Sequence, residues 1–174
     1  MDALKRRGSV VVLLLALWSG VHAAEPLEYA VKAAYLVKFP FYVDWPPTAF
    51  TSPSAPLVLC VIGDDPFGSL IDEAATGQEV QGHPVQVRRM KSAAKDAGCH
   101  IAYLGPDARV DALRGSGALI VTDALASGSG VINFVVKDNR VRFTVDDDLA
   151  AQNGLAISSK LLNVALSVKH REPR

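Results

Sequence analysis

The chain has 174 residues, 18 basic and 18 acidic side chains, and a hydrophobic fraction of 49%. This length suits one domain with a single hydrophobic core. The balanced charge argues against the strongly basic composition of nucleic-acid-binding proteins, and we predict no nucleic-acid partner.

The N-terminal segment has the organisation of a secretory signal peptide. Basic residues 5–7 precede the apolar run 10–17, and Ala23 is a small residue at the expected cleavage position. The apolar run is about half as long as the ~20 residues of a membrane span. We therefore predict a signal peptide over residues 1–23, and a single periplasmic domain over residues 24–174 that does not insert into the membrane. Removing three basic residues and one acidic residue from 18 of each leaves 15 basic and 17 acidic side chains.

The first predicted element after this segment is a helix over residues 28–37, where apolar residues recur at helical spacing. Pro40 is expected to end or kink it, because proline has no amide hydrogen for the helical ladder. Residues 57–62 form a continuous apolar run, which is typical of a strand buried on both faces of a parallel sheet. A second helix follows, and Asp64 or Asp65 can accept hydrogen bonds at its start.

The strand-and-helix pattern recurs further along the chain. Strands are predicted over residues 84–90, 100–104 and 118–122, and helices over residues 92–97 and 106–113. Strands that alternate with helices in this way indicate βαβ units with right-handed crossovers.

The pattern changes in the last third of the chain. Apolar runs over residues 131–136 and 141–145 flank the polar segment 137–140, which predicts a β-hairpin with a tight turn. An amphipathic helix of about a dozen residues is predicted from Ser158. The predicted fold class is α/β, with a mostly parallel sheet, an antiparallel C-terminal hairpin and helices on both faces.

Two cysteines are present in an exported chain, and this favours a disulfide between them. Cys60 lies in the first strand of the predicted sheet and Cys99 at the start of the third. A disulfide between Cys60 and Cys99 would close a loop of about 40 residues and would stabilise the fold by about 4 kcal/mol in the chain-entropy model. A bridge requires Cα atoms within ~7 Å, so the two strands should be neighbours or nearly so. The alternative is two buried free thiols.

Catalytic and metal-binding patterns are weak. Cys99 and His100 are adjacent in a predicted strand and so point to opposite faces, which prevents a nucleophilic dyad. His83 and His170 are not spaced along the sequence in the way that the ligands of a metal site usually are. Asp residues 146–148 could bind calcium, but capping of the helix that begins there is favoured. We predict no catalytic residue, no metal and no cofactor.

Several segments, in the same order, resemble YfiR-like proteins. A helix with the sequence EYAVKAAYL leads into FYVDWP, and the strand LCVIG is followed by DPFG. The segment GCHIAY follows, then VINF, VRF and finally GLAISSKLL. Two positions depart from the family pattern. Pro40 stands where the first helix commonly continues, and Asp146 stands where asparagine is frequent.

The resemblance implies a periplasmic protein without enzymatic activity. It implies binding to the periplasmic sensor domain of a membrane-bound diguanylate cyclase, with repression of cyclic-di-GMP synthesis and biofilm formation. It also implies a disulfide at the positions of Cys60 and Cys99, in agreement with the interpretation from compartment and strand position.

Five apolar residues are candidates for the partner surface. Phe143, Leu155, Ile157 and Leu161 lie in the hairpin-to-helix segment, and Trp45 is a candidate aromatic anchor. The alternative for each is an ordinary core position.

Two alternatives to this function and assembly stay open. A periplasmic small-ligand sensor or solute-binding module would use the carboxyl edge of the sheet. Exposed aromatic residues and an edge hairpin could also pair two copies of the chain, so a homodimer is left open.

Overall fold

The computed structural model describes residues 24–123 and 128–171, with side chains from residue 27 onward. The predicted signal peptide lies outside the described residues. The helices are α1 (Ala24–Lys38), α2 (Ser69–Ala75), α3 (Asp147–Gln152) and α4 (Ser159–Leu162), with 3-10 helices at Phe39–Tyr42 and Val110–Leu113. The strands are β1 (Val43–Asp44), β2 (Leu57–Ile62), β3 (Glu79–Val80), β4 (His83–Met90), β5 (Ile101–Leu104), β6 (Leu119–Asp123), β7 (Ile132–Lys137), β8 (Arg140–Asp146), β9 (Ala156–Ile157) and β10 (Ser167–Lys169).

The main sheet has the order β10-β8-β7-β6-β5-β2-β4-β3. Strands β4, β2, β5, β6 and β7 are parallel, and β8 returns antiparallel to β7. The chain goes from β2 to β4 on one side and then to β5 on the other, so right-handed crossovers place its connections on opposite faces. The predicted α/β class, with its mostly parallel sheet and antiparallel hairpin, is confirmed.

The central strands are formed by continuous apolar sequence. All six residues of β2 and all four residues of β5 are buried, as expected for strands with both faces covered. The hairpin turns through Asp138 and Asn139, whose φ angles are 51° and 56°. A two-residue turn of this kind favours Asn and Asp, which tolerate positive φ, and it matches the twist of the two strands.

The cysteines lie where the strand assignments placed them. Cys60 of β2 and Cys99, two residues before β5, form a disulfide with a Cα–Cα distance of 5.8 Å. Strands β2 and β5 are hydrogen-bonded neighbours. The bridge therefore joins two central strands near the middle of the sheet.

Three predicted helices differ from the structure. Residues 92–97 form turns, because a segment this short gains little helical stability on its own. The helix predicted over residues 106–113 is reduced to the 3-10 helix at its end. The second helix, α2, begins at Ser69, and Asp65 instead accepts hydrogen bonds from the amides of Phe67 and Gly68 in the turn before it.

The predicted C-terminal helix is also too long. It ends after Leu162, and the chain then adds β10 parallel to β8. Strand β8 offers unpaired backbone groups along its outer side, and pairing with β10 satisfies them. The hairpin is therefore covered by β10 and does not form the sheet edge that the sequence interpretation expected.

The aspartates at positions 146–148 lie at the start of α3. The Asp146 carboxylate accepts a hydrogen bond from the Leu149 amide, which caps the helix. Lys169 and Arg171 form ion pairs with Asp146 and Asp147. Capping thus accounts for this cluster. In residues 24–123 and 128–171 no group of metal-ligating side chains meets the geometry of a site, and no helix has the length and apolarity of a membrane span.

Candidate functional site

Helix α1 is apolar on two faces, and this creates a surface groove. Ala33, Leu36 and Val37 are buried in the core of the domain. A second row at positions 31, 34, 35 and 38 follows the i, i+3, i+4, i+7 spacing of one helix face. This second face forms one wall of the groove, where the Tyr35 ring also packs against the core.

The groove lies between α1, the 3-10 helix at Phe39–Tyr42, β8 and α4, and has a volume of about 660 Å³. Its lining is mostly apolar and aromatic. The lining residues are Val31, Ala34, Tyr35, Lys38, Phe39, Tyr42, Phe143, Lys160, Leu161 and Val164.

Packed aromatic rings form the floor of the groove. The Phe39 and Phe143 rings meet edge to face, with centroids 5.1 Å apart. The Tyr35 ring lies 5.6 Å from Phe39 and 5.7 Å from Phe143. Aromatic pairs at these separations add stability beyond their buried area. The floor is therefore a rigid, pre-formed surface.

The rim combines exposed apolar side chains with two cations. Val164 is 62% exposed and Tyr42 is 38% exposed. Lys160 is exposed at the same rim, and the Lys38 ammonium donates a hydrogen bond to Gln78 at 2.9 Å. An apolar cleft with positive charge at its rim suits an apolar group that carries or neighbours a carboxylate.

Backbone and capping contacts fix the far wall. The Ser158 amide donates a hydrogen bond to the Tyr42 carbonyl at 2.8 Å, which links the start of α4 to the 3-10 helix. The Ser158 hydroxyl then accepts from the Lys160 amide and caps α4. The Leu166 amide donates to the Phe143 carbonyl, so the turn after α4 is tied to β8.

A buried charged cluster anchors α1 to the sheet beneath the groove. The Lys32 ammonium is buried and forms ion pairs with Glu28 and with Asp123 at the end of β6. Burial alone would lower the pKa of Lys32, but the hydrogen bonds with the two carboxylates outweigh it and raise the pKa. Burial also raises the pKa of Tyr103, with a further contribution from Asp123.

The residues predicted from sequence for the partner surface fall in three places. Phe143 and Leu161 line the groove together. Leu155 and Ile157 are 2% and 8% exposed and belong to the core rather than to the groove lining. Trp45 lies in a separate aromatic cluster, where its ring nitrogen donates to the carbonyl of Pro40 at 3.3 Å.

Most groove residues were missed by sequence reasoning. The spacing of Val31, Ala34 and Tyr35 indicates an apolar stripe on the helix, but it does not show that this stripe lines a surface groove. Tyr42 ends a four-residue 3-10 helix and Val164 lies in the turn after α4, and segments this short carry no periodic pattern that marks a functional face. A helix that is apolar on two faces was the available signal for a surface groove.

A second crevice lies at the point where the strand order reverses. It has a volume of about 530 Å³ and is formed by the loops that follow β2, β4 and β5. Asp64, Lys91, Asp107 and Arg109 line it, and all four side chains are exposed. The reversal point of an open parallel sheet is a common place for small-ligand binding.

These features define an α/β domain with a pre-formed apolar groove on its surface. Comparison with protein families identifies a match over residues 29–166 to the family described as YfiR/HmsC-like, and the chain belongs to this family. The family is regulatory, non-catalytic and periplasmic, and it acts on diguanylate cyclases. A comparison with curated proteins found no significant match. The matched residues include every residue of the groove lining.

Proposed function

We propose that this protein binds the periplasmic sensor domain of a membrane-bound diguanylate cyclase through the groove and represses cyclic-di-GMP synthesis. The observation that supports this proposal is the groove itself, with its rigid aromatic floor and its exposed apolar rim. Phe143 and Leu161 are part of the proposed contact surface, whereas Leu155 and Ile157 are core residues and Trp45 lies in a separate aromatic cluster.

The chemistry of the groove specifies the partner segment. Its floor offers an apolar pocket for one or two large side chains, which is the usual arrangement of an interface hot spot. Lys38 and Lys160 at the rim would attract an acidic residue next to those side chains. We therefore expect the sensor domain to insert an apolar side chain with a neighbouring carboxylate.

Repression follows from selective binding. A protein that binds only the inactive state of the cyclase shifts the equilibrium toward that state in proportion to its differential affinity. Each tenfold preference corresponds to about 1.4 kcal/mol, so modest selectivity is enough to change cyclase output. No catalytic step is needed for this effect.

Val164→Asp tests the groove directly. It places a charge at an exposed rim position, where it should not disturb the core, and should weaken binding to the sensor domain by about tenfold or more. Isothermal titration calorimetry with the purified sensor domain measures this effect.

Val136→Asp is the matched control. Val136 is 52% exposed on β7 and lies outside the groove lining. This variant should bind like the wild type. Equal binding by both variants, with circular dichroism spectra that match the wild type, would show that the partner uses another surface.

A second candidate function is that of a small-ligand sensor, favoured by the crevice at the reversal point of the sheet. Its mixed positive and negative charges suit a small zwitterion. A thermal-shift screen with the free amino acids tests this function. A specific ligand should raise the melting temperature of the wild type and lose that effect in Arg109→Ala, whereas no shift with any amino acid would reject it.

Homodimer formation is a separate proposal. The outer strands of the sheet, β3 and β10, each present an edge that can pair with another copy. Sedimentation equilibrium of the purified protein gives the oligomeric state, and a monomer at all concentrations would reject this assembly.

A further inference from the structure

Residues 45–56, here called the strap, connect β1 to β2 and lie against the amino end of the parallel strands. His83 is the first residue of β4, and His100 immediately precedes β5. Both imidazole rings contact the strap. The strap starts directly after β1, and β1 follows the 3-10 helix that borders the groove.

Phe50 of the strap is held between the two histidines. Its ring stacks on His83 with a centroid distance of 3.6 Å and an interplanar angle of 5°. Its other face stacks on His100 with a centroid distance of 4.5 Å and an angle of 16°. Trp45 packs edge-on against His100 at 5.9 Å. The strap is thus attached to the sheet mainly through two imidazole rings.

Hydrogen bonds to two strap carbonyls complete the attachment. Nδ1 of His83 lies 2.6 Å from the Ala55 carbonyl oxygen, and Nε2 of His100 lies 2.9 Å from the Ala49 carbonyl oxygen. A carbonyl oxygen can only accept, so each of these ring nitrogens carries a proton.

The second nitrogen of His100 has the opposite role. Its Nδ1 accepts a hydrogen bond from the Val58 amide at 3.0 Å. A backbone amide can only donate, so His100 must be neutral in this arrangement. A proton on Nδ1 would face the Val58 N–H and break that bond, which leaves the amide without its acceptor and drives the ring away from the position in which it holds Ala49 and Phe50. His83 has no such acceptor role in the contact with the strap, because its Nδ1 donates to the Ala55 carbonyl.

Both rings lie among uncharged groups. In the described part of the chain, the pocket walls around His100 come from the strap, β2, residues 98–99 and residues 116–117, and they contain no Asp, Glu, Lys or Arg. The pocket beside His83 is likewise lined by strap residues and Gln81. Cys99 is held in the disulfide and does not titrate. Among the described residues that line these two pockets, His83 and His100, which stack on Phe50, are the only side chains that titrate.

We propose that His83 and His100 form an acid-sensitive latch that releases the strap when His100 is protonated. The sheet, which is held by its own hydrogen bonds and by the disulfide, stays folded during this release. Release separates Ala49 and Phe50 from the sheet and exposes the amino end of the parallel strands. It also removes the support of Trp45 from the 3-10 helix beside the groove.

The direction of the pH effect follows from the environment of His100. Burial lowers the pKa of His100, the hydrogen bond to Ala49 raises it, and the neighbouring His83 lowers it further, with a net decrease. In the open strap the ring regains the ordinary value of about 6.5. The closed strap is therefore fully stable above that pH, loses stability as the pH falls below ~6.5, and reaches its minimum at the lowered pKa of the closed state.

Hydrogen–deuterium exchange of the full protein, purified from the periplasm, tests the latch. After correction for intrinsic exchange, peptides that cover residues 45–58 should exchange about tenfold faster at about pH 5.5 than at about pH 7.5. The corrected exchange rates of peptides from β5 and β6 should be the same at both pH values. Trp18 lies in the predicted signal peptide, so Trp45 is expected to be the sole tryptophan of the periplasmic protein, and its fluorescence should change with the same midpoint.

His100→Asn identifies the responsible group. The asparagine oxygen occupies the same side-chain position as Nδ1 and can accept from Val58, but it does not titrate. This variant should show the same corrected strap exchange at both pH values. His170→Asn, at an exposed position near the C-terminus, should retain the acid response of the wild type.

Three results would overturn the latch. These are equal strap exchange in the wild type at both pH values, an acid response that persists in His100→Asn, and a response lost in His170→Asn. The wild-type protein gives a further test that needs no variant. The NMR titration midpoint of the His100 ring must coincide with strap opening, and a difference of more than about one pH unit would reject the mechanism.

Discussion

Lys32 joins α1 to the main sheet through an ion pair with Asp123. It is buried in the helix that forms one wall of the groove, and its ammonium joins Glu28 of the same helix to Asp123 of β6. Because its folded pKa is raised, its contribution to stability is fully present below the unfolded value of about 10.4 and is lost only as the pH rises through the folded pKa. The pair is therefore intact at neutral pH.

Lys32→Met should destabilise the protein by about 3 kcal/mol, because it leaves two partly buried carboxylates without their cation. Urea denaturation measures the free energy of unfolding. Lys91→Met is the control, since Lys91 is exposed and forms no ion pair within the described residues. If Lys32→Met lowers the free energy of unfolding by no more than Lys91→Met does, Lys32 does not anchor the helix. Adding Asp123→Asn to Lys32→Met should recover part of the stability.

For single residues, the sequence correctly predicted the disulfide between Cys60 and Cys99, because export and the positions of the two strands both favour it. It did not find the partners of Lys32, because the contact with Asp123 joins residues 91 positions apart. It also gave no role to His83 and His100, whose stacking on Phe50 depends on the path of the strap.

Among the secondary-structure elements, the disulfide ties β2 to the residues before β5. These strands are already hydrogen-bonded neighbours, so the bridge chiefly restricts the unfolded chain.

Replacing both cysteines with alanine should lower the free energy of unfolding by about 4 kcal/mol in the chain-entropy model, for a sequence separation of 39 residues. Urea denaturation of this variant, compared with the wild type in the presence and absence of a reducing agent, measures the loss. Reduction should destabilise the wild type and leave the variant unchanged. A variant as stable as the oxidised wild type would show that the bridge adds nothing to folding.

The pairing of β10 with β8 explains why the helix predicted from Ser158 is too long. Leu161, Leu162, Ala165 and Leu166 have helical spacing, and a local interpretation follows that pattern. In the fold, Leu166 bonds to β8 and the next residues extend that sheet. Pairing with a distant strand outweighed local propensity, and sequence alone does not reveal which strand has an open side.

For the whole molecule, the parallel sheet, its hairpin and its family were accessible from sequence, because continuous apolar runs and ordered motifs carry that information. The groove was not, since it is formed by four segments that meet only in the fold, namely α1, the 3-10 helix after it, β8 and α4. Phe143 and Leu161 were the two predicted residues that the fold brings into it.

The cyclic-di-GMP level in a strain that lacks this gene tests the account most directly. Deletion should raise the level, and complementation with the wild type or with Val136→Asp should restore it. Val164→Asp should fail to restore it when the protein is present in equal amount in the periplasm. An unchanged level after deletion, or full restoration by Val164→Asp, would contradict repression through the groove.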